Sequence, residues 1–184
     1  IERGINSPRT SSMGRLFDAA AAILGICGQA TYEGEPAIEL EAAAWRALDG
    51  EIAHFPDDNA GYFASGPSWL DGPDVLDQKA LFEALLGEIE AGAPADRLAL
   101  DFHAAVARSS ARIASDICVR EGIDTGALSG GVFMNRLLLQ LLTRELKSAS
   151  LTVLVPHTVP VNDGCIAYGQ AAVASARLAQ TASQ

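Results

Sequence analysis

Basic residues are scarce in this sequence. Thirteen Lys and Arg stand against 23 Asp and Glu, a formal net charge of −10. A nucleic-acid surface needs clustered Lys and Arg, so none is expected. Cysteine is equally thin: Cys27, Cys118 and Cys165 are odd in number, widely spaced and form no CxxC pair. Neither a disulfide framework nor a cysteine zinc site is indicated, and a reducing, cytoplasmic location is expected. No apolar run reaches about 18 residues and no signal peptide is visible, so no membrane partner is expected. His54, His103 and His157 share no i, i+3 or i, i+4 spacing. A histidine metal pair is therefore absent, as are a Walker A loop, a GxGxxG fingerprint and a GxSxG nucleophile elbow.

What the chain does have is apolar residues, 49% of its 184, with few aromatics and abundant alanine. That composition supports a sizeable core of closely packed helices, as one good-sized domain or two small lobes. The first residue is isoleucine, which reads as a chain cut from something longer.

The spacing predicts a helix from Ser11 or Ser12 to about Gly25, with Leu16, Ala20, Ile23 and Leu24 as its apolar face. A turn at "TYEGEP" leads to a second helix over 36–48, with Pro36 in its first turn. "EIAHF" and "GYFAS" are expected as strands around the turn "PDDNAG". Helices follow at 74–91 and 95–121. The second carries a buried stripe of Leu98, Phe102, Ala105, Ser109, Ile113 and Ile117. The last half alternates: a strand in 123–131, a helix over 135–148, a strand at "LTVLVP" and a helix over 163–180. The fold class expected is α/β and helix-rich, with a small mixed sheet flanked by helices.

The residues that carry chemistry gather at strand-to-helix junctions. Gly130 and Gly131 in "LSGGVFMN" allow a ligand to approach bare backbone, whose N–H groups suit phosphate or ribose oxygens; the alternative is a tight turn. Asn135 then offers amide donors and an acceptor, or a helix cap. Asp163 in "VPVNDGC" is either an N-cap or a carboxylate presented where metals and phosphates are held. Asp18 stands in an alanine-rich helix, facing solvent or a cleft, and Glu39 carries the same ambiguity. Glu33 and Glu35 are expected exposed. His103, beside Phe102 on the long helix, reads as a packing or polar-face residue rather than a metal ligand.

Four segments, "TSSMGRLFDAAAAILGI", "YEGEPAIELEAAA", "LSGGVFMNRLL" and "PVNDGCIAYGQAAVA", resemble in this order the C-terminal part of the hydrogenase maturation carbamoyltransferases (HypF). The resemblance runs from about residue 3 to residue 175. The wider relatives are the tRNA threonylcarbamoyl transferases (TsaD) and the antibiotic O-carbamoyltransferases. The resemblance implies the second lobe of an actin-like, sugar-kinase and Hsp70-type (ASKHA) nucleotide fold, with residues 1–184 forming one fragment. The first lobe and the upstream acylphosphatase-like, zinc-finger and YrdC-like domains would be absent. It implies that Gly130, Gly131 and Asn135 receive the adenosine part of a nucleotide. Asp18 would match the aspartate of an "FD" motif, and Glu39 a ribose-facing acid. Asp163 would be a metal ligand, for zinc or iron, shared with the first lobe, whose HxxxH histidine pair this chain lacks.

The family's reaction makes carbamoyl-adenylate from carbamoyl phosphate and ATP. It then carbamoylates the C-terminal cysteine of a HypE partner, toward the cyanide ligands of nickel–iron hydrogenase. "SSMGR", where TsaD relatives carry acidic residues, favours HypF over a tRNA-modifying enzyme. An isolated, non-catalytic nucleotide-binding lobe is the other reading, since the lone fragment is expected to be inactive.

Overall fold

The long helix at the centre of the chain decides where everything else packs. The computed structural model describes residues 10–49 and 69–182. Helix α1 is Met13–Ile23, α2 Glu35–Ala47, α3 Gln78–Glu90 and α4 Ala95–Glu121. Strand β1 (Thr125–Ala127), helix α5 (Arg136–Ser148), strand β2 (Thr152–Leu154) and helix α6 (Ile166–Ala182) follow. Short 3-10 turns at Gly131–Met134 and Asp163–Cys165 precede α5 and α6. The two expected strands at 51–55 and 61–65, and His54 with them, lie outside the described residues.

Helix α4 runs for 27 residues. Every residue from Leu98 to Ala107 is buried, which a single stripe does not predict. The reason is company on several sides: α1, α2, α3 and α5 all pack on α4. Ala99, Ala104, Ala105 and Ala107 let those neighbours approach closely. Past Ala111 the helix leaves the core, and Ile113 and Ile117 of the predicted stripe are only half-buried while Cys118 is buried. Gly122, at φ +66, ends α4, its N–H donating to the Cys118 carbonyl.

Helix α1 buries Leu16, Phe17, Ala20 and Ala21, so its inward face is turned from the predicted one, and Ile23 is exposed. Phe17 sets that rotation. It meets Phe102 edge-on at 5.4 Å and His103 at 5.0 Å between ring centroids. Gly25, at φ +68, ends the helix, and Ile26 N–H donates back to the Ala21 carbonyl. Helix α2 buries Pro36, Leu40, Ala43 and Ala44.

Helix α3 begins at Gln78 rather than at residue 74, because Asp77 caps it by accepting from Ala80 N–H at 2.9 Å. The preceding residues instead fold back as a small antiparallel bridge, Leu70 to Leu76, around Gly72 at φ +78.

The described sheet is a parallel pair, β1 beside β2, with Thr125 opposite Thr152 and Ala127 opposite Leu154. The expected mixed sheet is not seen among the described residues. Helix α5 returns the chain between the two strands, so both run the same way. Leu137, Leu138, Leu141, Leu142 and Leu146 seat α5 on the core. No residue of α6 from 166 to 180 is buried. None of the described helices is long and apolar enough to cross a membrane.

Candidate functional site

Both strands point their C-terminal ends toward the same place. β1 runs into the glycine turn and α5, and β2 runs into the loop of Asp163 and α6. In open parallel sheets, the ends of the strands are where ligands gather. Two bonds tie the loops together: Gly130 N–H donates to the Val161 carbonyl at 2.8 Å, and Asn162 Nδ2 donates to Met134 Sδ at 3.0 Å. The structure therefore brings Gly130, Gly131, Asn135 and Asp163 into one region, with α1, the helix of Asp18, packed on the 3-10 turn.

Gly130 sits at φ +115, ψ 156, a conformation essentially closed to residues with a Cβ. Its N–H, expected to face a ligand, is committed to Val161. Gly131 differs. It is exposed with an ordinary φ, and a Cβ there would come no closer than 4.0 Å to Asn162 Cβ. Of the two glycines, Gly131 is the one that leaves room for a ligand.

Asn135 is buried at 9% exposure and makes two internal bonds. Its Oδ1 accepts from Leu138 N–H at 2.8 Å, capping α5, as its alternative reading anticipates. Its Nδ2 lies 2.8 Å from His103 Nε2, and His103 Nδ1 lies 2.7 Å from the Ala99 carbonyl. A carbonyl only accepts, so Nδ1 carries the proton and Nε2 accepts from Asn135. This chain of bonds needs a neutral imidazole. Burial pushes His103 down to about 4, against the opposing pull of the Ala99 carbonyl. The packing role read for His103 is thus joined by a second one, holding the asparagine that caps α5.

The first turn of α5 carries a group that sequence reasoning missed. Glu41, on α2, accepts at Oε1 from Arg136 N–H at 2.9 Å and from Leu137 N–H at 3.1 Å. Trp45 Nε1 donates to the same oxygen at 3.1 Å. With Leu138 bound by Asn135 and Leu139 N–H donating to the Asn135 carbonyl, the four leading amides of α5 all have partners. The usual seat for an anion at a helix start is filled here by the protein's own carboxylate. Nothing local in the sequence marks Glu41 for this task.

Glu39, two residues before Glu41, projects from a different face of α2. It is exposed, and its charge helps hold Arg46 above the usual arginine range, after the larger contribution of the Asp96 hydrogen bond. Asp18 pairs with Arg15 at 3.1 Å on its own helix and keeps 20% of its side chain exposed. Glu35 bonds the Thr31 N–H, which holds its carboxyl below the usual range, so it is less free than expected. Gly34 takes φ +84 at the start of α2.

Asp163 is exposed, and among the described residues no hydrogen bond or ion pair engages its carboxylate. The capping alternative belongs to its neighbour: Asn162 Oδ1 accepts from Gly164 N–H at 3.1 Å. The Asn-x-Gly spacing is legible in the sequence as a local turn. Among the described residues no group of three or more His, Cys, Asp or Glu is placed to hold a metal ion.

A family profile described as "Carbamoyltransferase, Kae1-like Domain, second subdomain" matches residues 1–170. The chain belongs to the HypF carbamoyltransferase family. It is 39% identical over 178 residues to a carbamoyltransferase HypF homolog of Cupriavidus necator, covering 95% of this chain and 43% of that one. To carbamoyltransferase HypF of Rhodobacter capsulatus it is 37% identical, covering 96% of this chain and 21% of the relative. Among solved structures it is similar to full-length HypF in a phosphate- and nucleotide-bound form, at 31% identity and TM-score 0.78, over 97% of this chain and 22% of that chain. HypF of T. kodakarensis follows at 30% identity and TM-score 0.76. The chain thus spans from about a fifth to less than half the length of these relatives.

Proposed function

We propose that this chain is the second lobe of an ASKHA-type domain in a longer carbamoyltransferase, where it receives the adenosine part of carbamoyl-adenylate. That intermediate arises from carbamoyl phosphate and ATP. The carbamoyl group then passes to the C-terminal cysteine of a HypE-type partner during nickel–iron hydrogenase maturation. The observation that carries this reading is the exposed Gly131 beside the Asp163 loop, at the ends of two parallel strands. Membership of the HypF family supports it, as does the nucleotide- and phosphate-bound state of a full-length relative of similar fold.

In this reading each residue has a limited task. Gly131 lets the nucleotide lie against backbone. Asn135 and His103 hold the turn still. Glu39 and Asp18 flank the cleft from α2 and α1. Asp163 offers one free carboxylate, which suits a divalent zinc or iron ion shared with the first lobe. Such an ion, when bound, supplies Lewis-acid polarisation of the carbamoyl or phosphate oxygens. The attacking thiolate belongs to the partner, so Cys27, Cys118 and Cys165 have no part in the transfer. The location expected is cytoplasmic.

Calorimetric titration of the full-length protein with ATP tests the reading. Gly131→Ala is expected to weaken binding about tenfold while leaving thermal stability nearly unchanged, because only the ligand would meet the new Cβ. Unchanged binding in Gly131→Ala overturns the placement of the nucleotide at this turn.

A further inference from the structure

We infer that Glu41 is a positioning residue for the nucleotide, one that sets the glycine turn against α2; this rests on the proposed role of that turn. Three donors from two distant parts of the chain converge on one oxygen, Glu41 Oε1. They are Trp45 Nε1 on α2 itself, and the Arg136 and Leu137 amides at the start of α5. Glu41 lies 95 and 96 residues from those two amides in sequence. A carboxylate at a helix start is favoured by the aligned peptide dipoles as well as by the bonds themselves. Because the acceptor comes from another helix, the same bonds that satisfy α5 also fix its first turn relative to α2.

The geometry gives that link a consequence for binding. The 3-10 turn Gly131–Met134 leads directly into Asn135 and Arg136, with Phe133 N–H bonded to the Gly130 carbonyl and Asn135 N–H to the Val132 carbonyl. A shift of Arg136 is therefore carried to Gly131 through a short, bonded segment. Glu41 consequently fixes the position of the glycine turn against α2 without touching the ligand. Asn135 with His103 anchors the same helix start to α4. The turn is thus fixed from two directions, to α4 through Asn135 and to α2 through Glu41. By occupying the leading amides of α5, Glu41 also directs a bound nucleotide's phosphates away from that helix start.

The test is ATP affinity and turnover in the full-length protein carrying Glu41→Ala, Glu41→Asp or Glu41→Gln. Shortening to Asp retains the charge but withdraws it from α5, whereas Gln retains an acceptor at the right reach. Glu41→Ala and Glu41→Asp are expected to raise the ATP Kd and KM about tenfold, with kcat at saturation changed less than about twofold. Glu41→Gln is expected to recover most of the affinity. Trp45→Phe, which leaves the bonds to α5 intact, is expected to bind as the parent does. Leu146→Ala supplies a destabilised comparison: it lowers thermal stability from the far end of α5 and is expected to leave ATP affinity unchanged. Parent-like affinity in Glu41→Asp, or an equal loss in Leu146→Ala, overturns the positioning role. A parent protein that binds no ATP instead overturns the nucleotide reading on which it rests.

Discussion

His103 holds its place by staying uncharged. Both ring nitrogens are engaged, one donating to the Ala99 carbonyl and one accepting from Asn135, and Phe17 packs edge-on against the ring. Protonation would set an N–H against the Asn135 amide and place a charge where nothing solvates it. The folded value of about 4 lies below the ordinary 6.5. Between those values the unfolded chain binds more protons, so stability is complete above pH 6.5 and falls as pH drops toward 4. The loss expected from this one residue is roughly 3 kcal/mol across the window. Urea denaturation at about pH 7 and about pH 5 checks it, with His103→Gln showing a flatter dependence because glutamine does not titrate. Equal slopes in parent and variant would assign the acid sensitivity elsewhere.

At the scale of elements, α5 and α6 make a contrast. Both contain leucine and both follow a 3-10 turn, yet α5 turns five leucines into the core while α6 buries none from 166 to 180. Leu146 is 1% exposed and Leu178 72%. In the 184-residue chain, Leu146→Ala is expected to cost roughly 2–5 kcal/mol, the transfer of the lost methyls plus the cavity they leave. Leu178→Ala is expected to change stability by no more than about 0.5 kcal/mol. Chemical denaturation of the two variants measures the difference directly. A large loss in Leu178→Ala would mean that α6 packs on the core in solution.

For the whole molecule, the excess of acid builds no metal cage among the described residues. The net charge is −10, but among the described residues no three candidate ligands converge. A catalytic divalent metal ordinarily takes about three protein ligands, and a lone exposed carboxylate competes poorly with water for the ion. The chain by itself is therefore expected to show only diffuse uptake of zinc or iron in a calorimetric titration at moderate salt. The full-length protein is expected to show a stoichiometric site, weakened by Asp163→Ala. A tight one-to-one site in the 184-residue chain would remove the case for a shared metal.

Much of this was written in short stretches of sequence. The starts and stops of α1, α2 and α4, the cap at Asn135, and the glycine turn followed by a leucine helix all depend on residues within a turn or two of one another. Gly25, Pro36, Gly122, Gly130 and Asn135 mark them, because capping and positive φ are local demands, whereas Ser12, at the start of α1, makes no side-chain cap bond. The four motifs also declared the family. What the sequence could not declare was any pairing between distant residues. Burial on every side of α4 required four other helices to arrive. The inward face of α1 followed Phe17 because Phe102 and His103 were waiting for it. Asp77 displaced the start of α3 once the bridge before it had formed. Glu41 had the look of an ordinary helical acid until folding brought Arg136 and Leu137 to it. Local signals act through neighbouring backbone, whereas the long-range hydrogen bonds and packed rings exist only after the chain has closed upon itself.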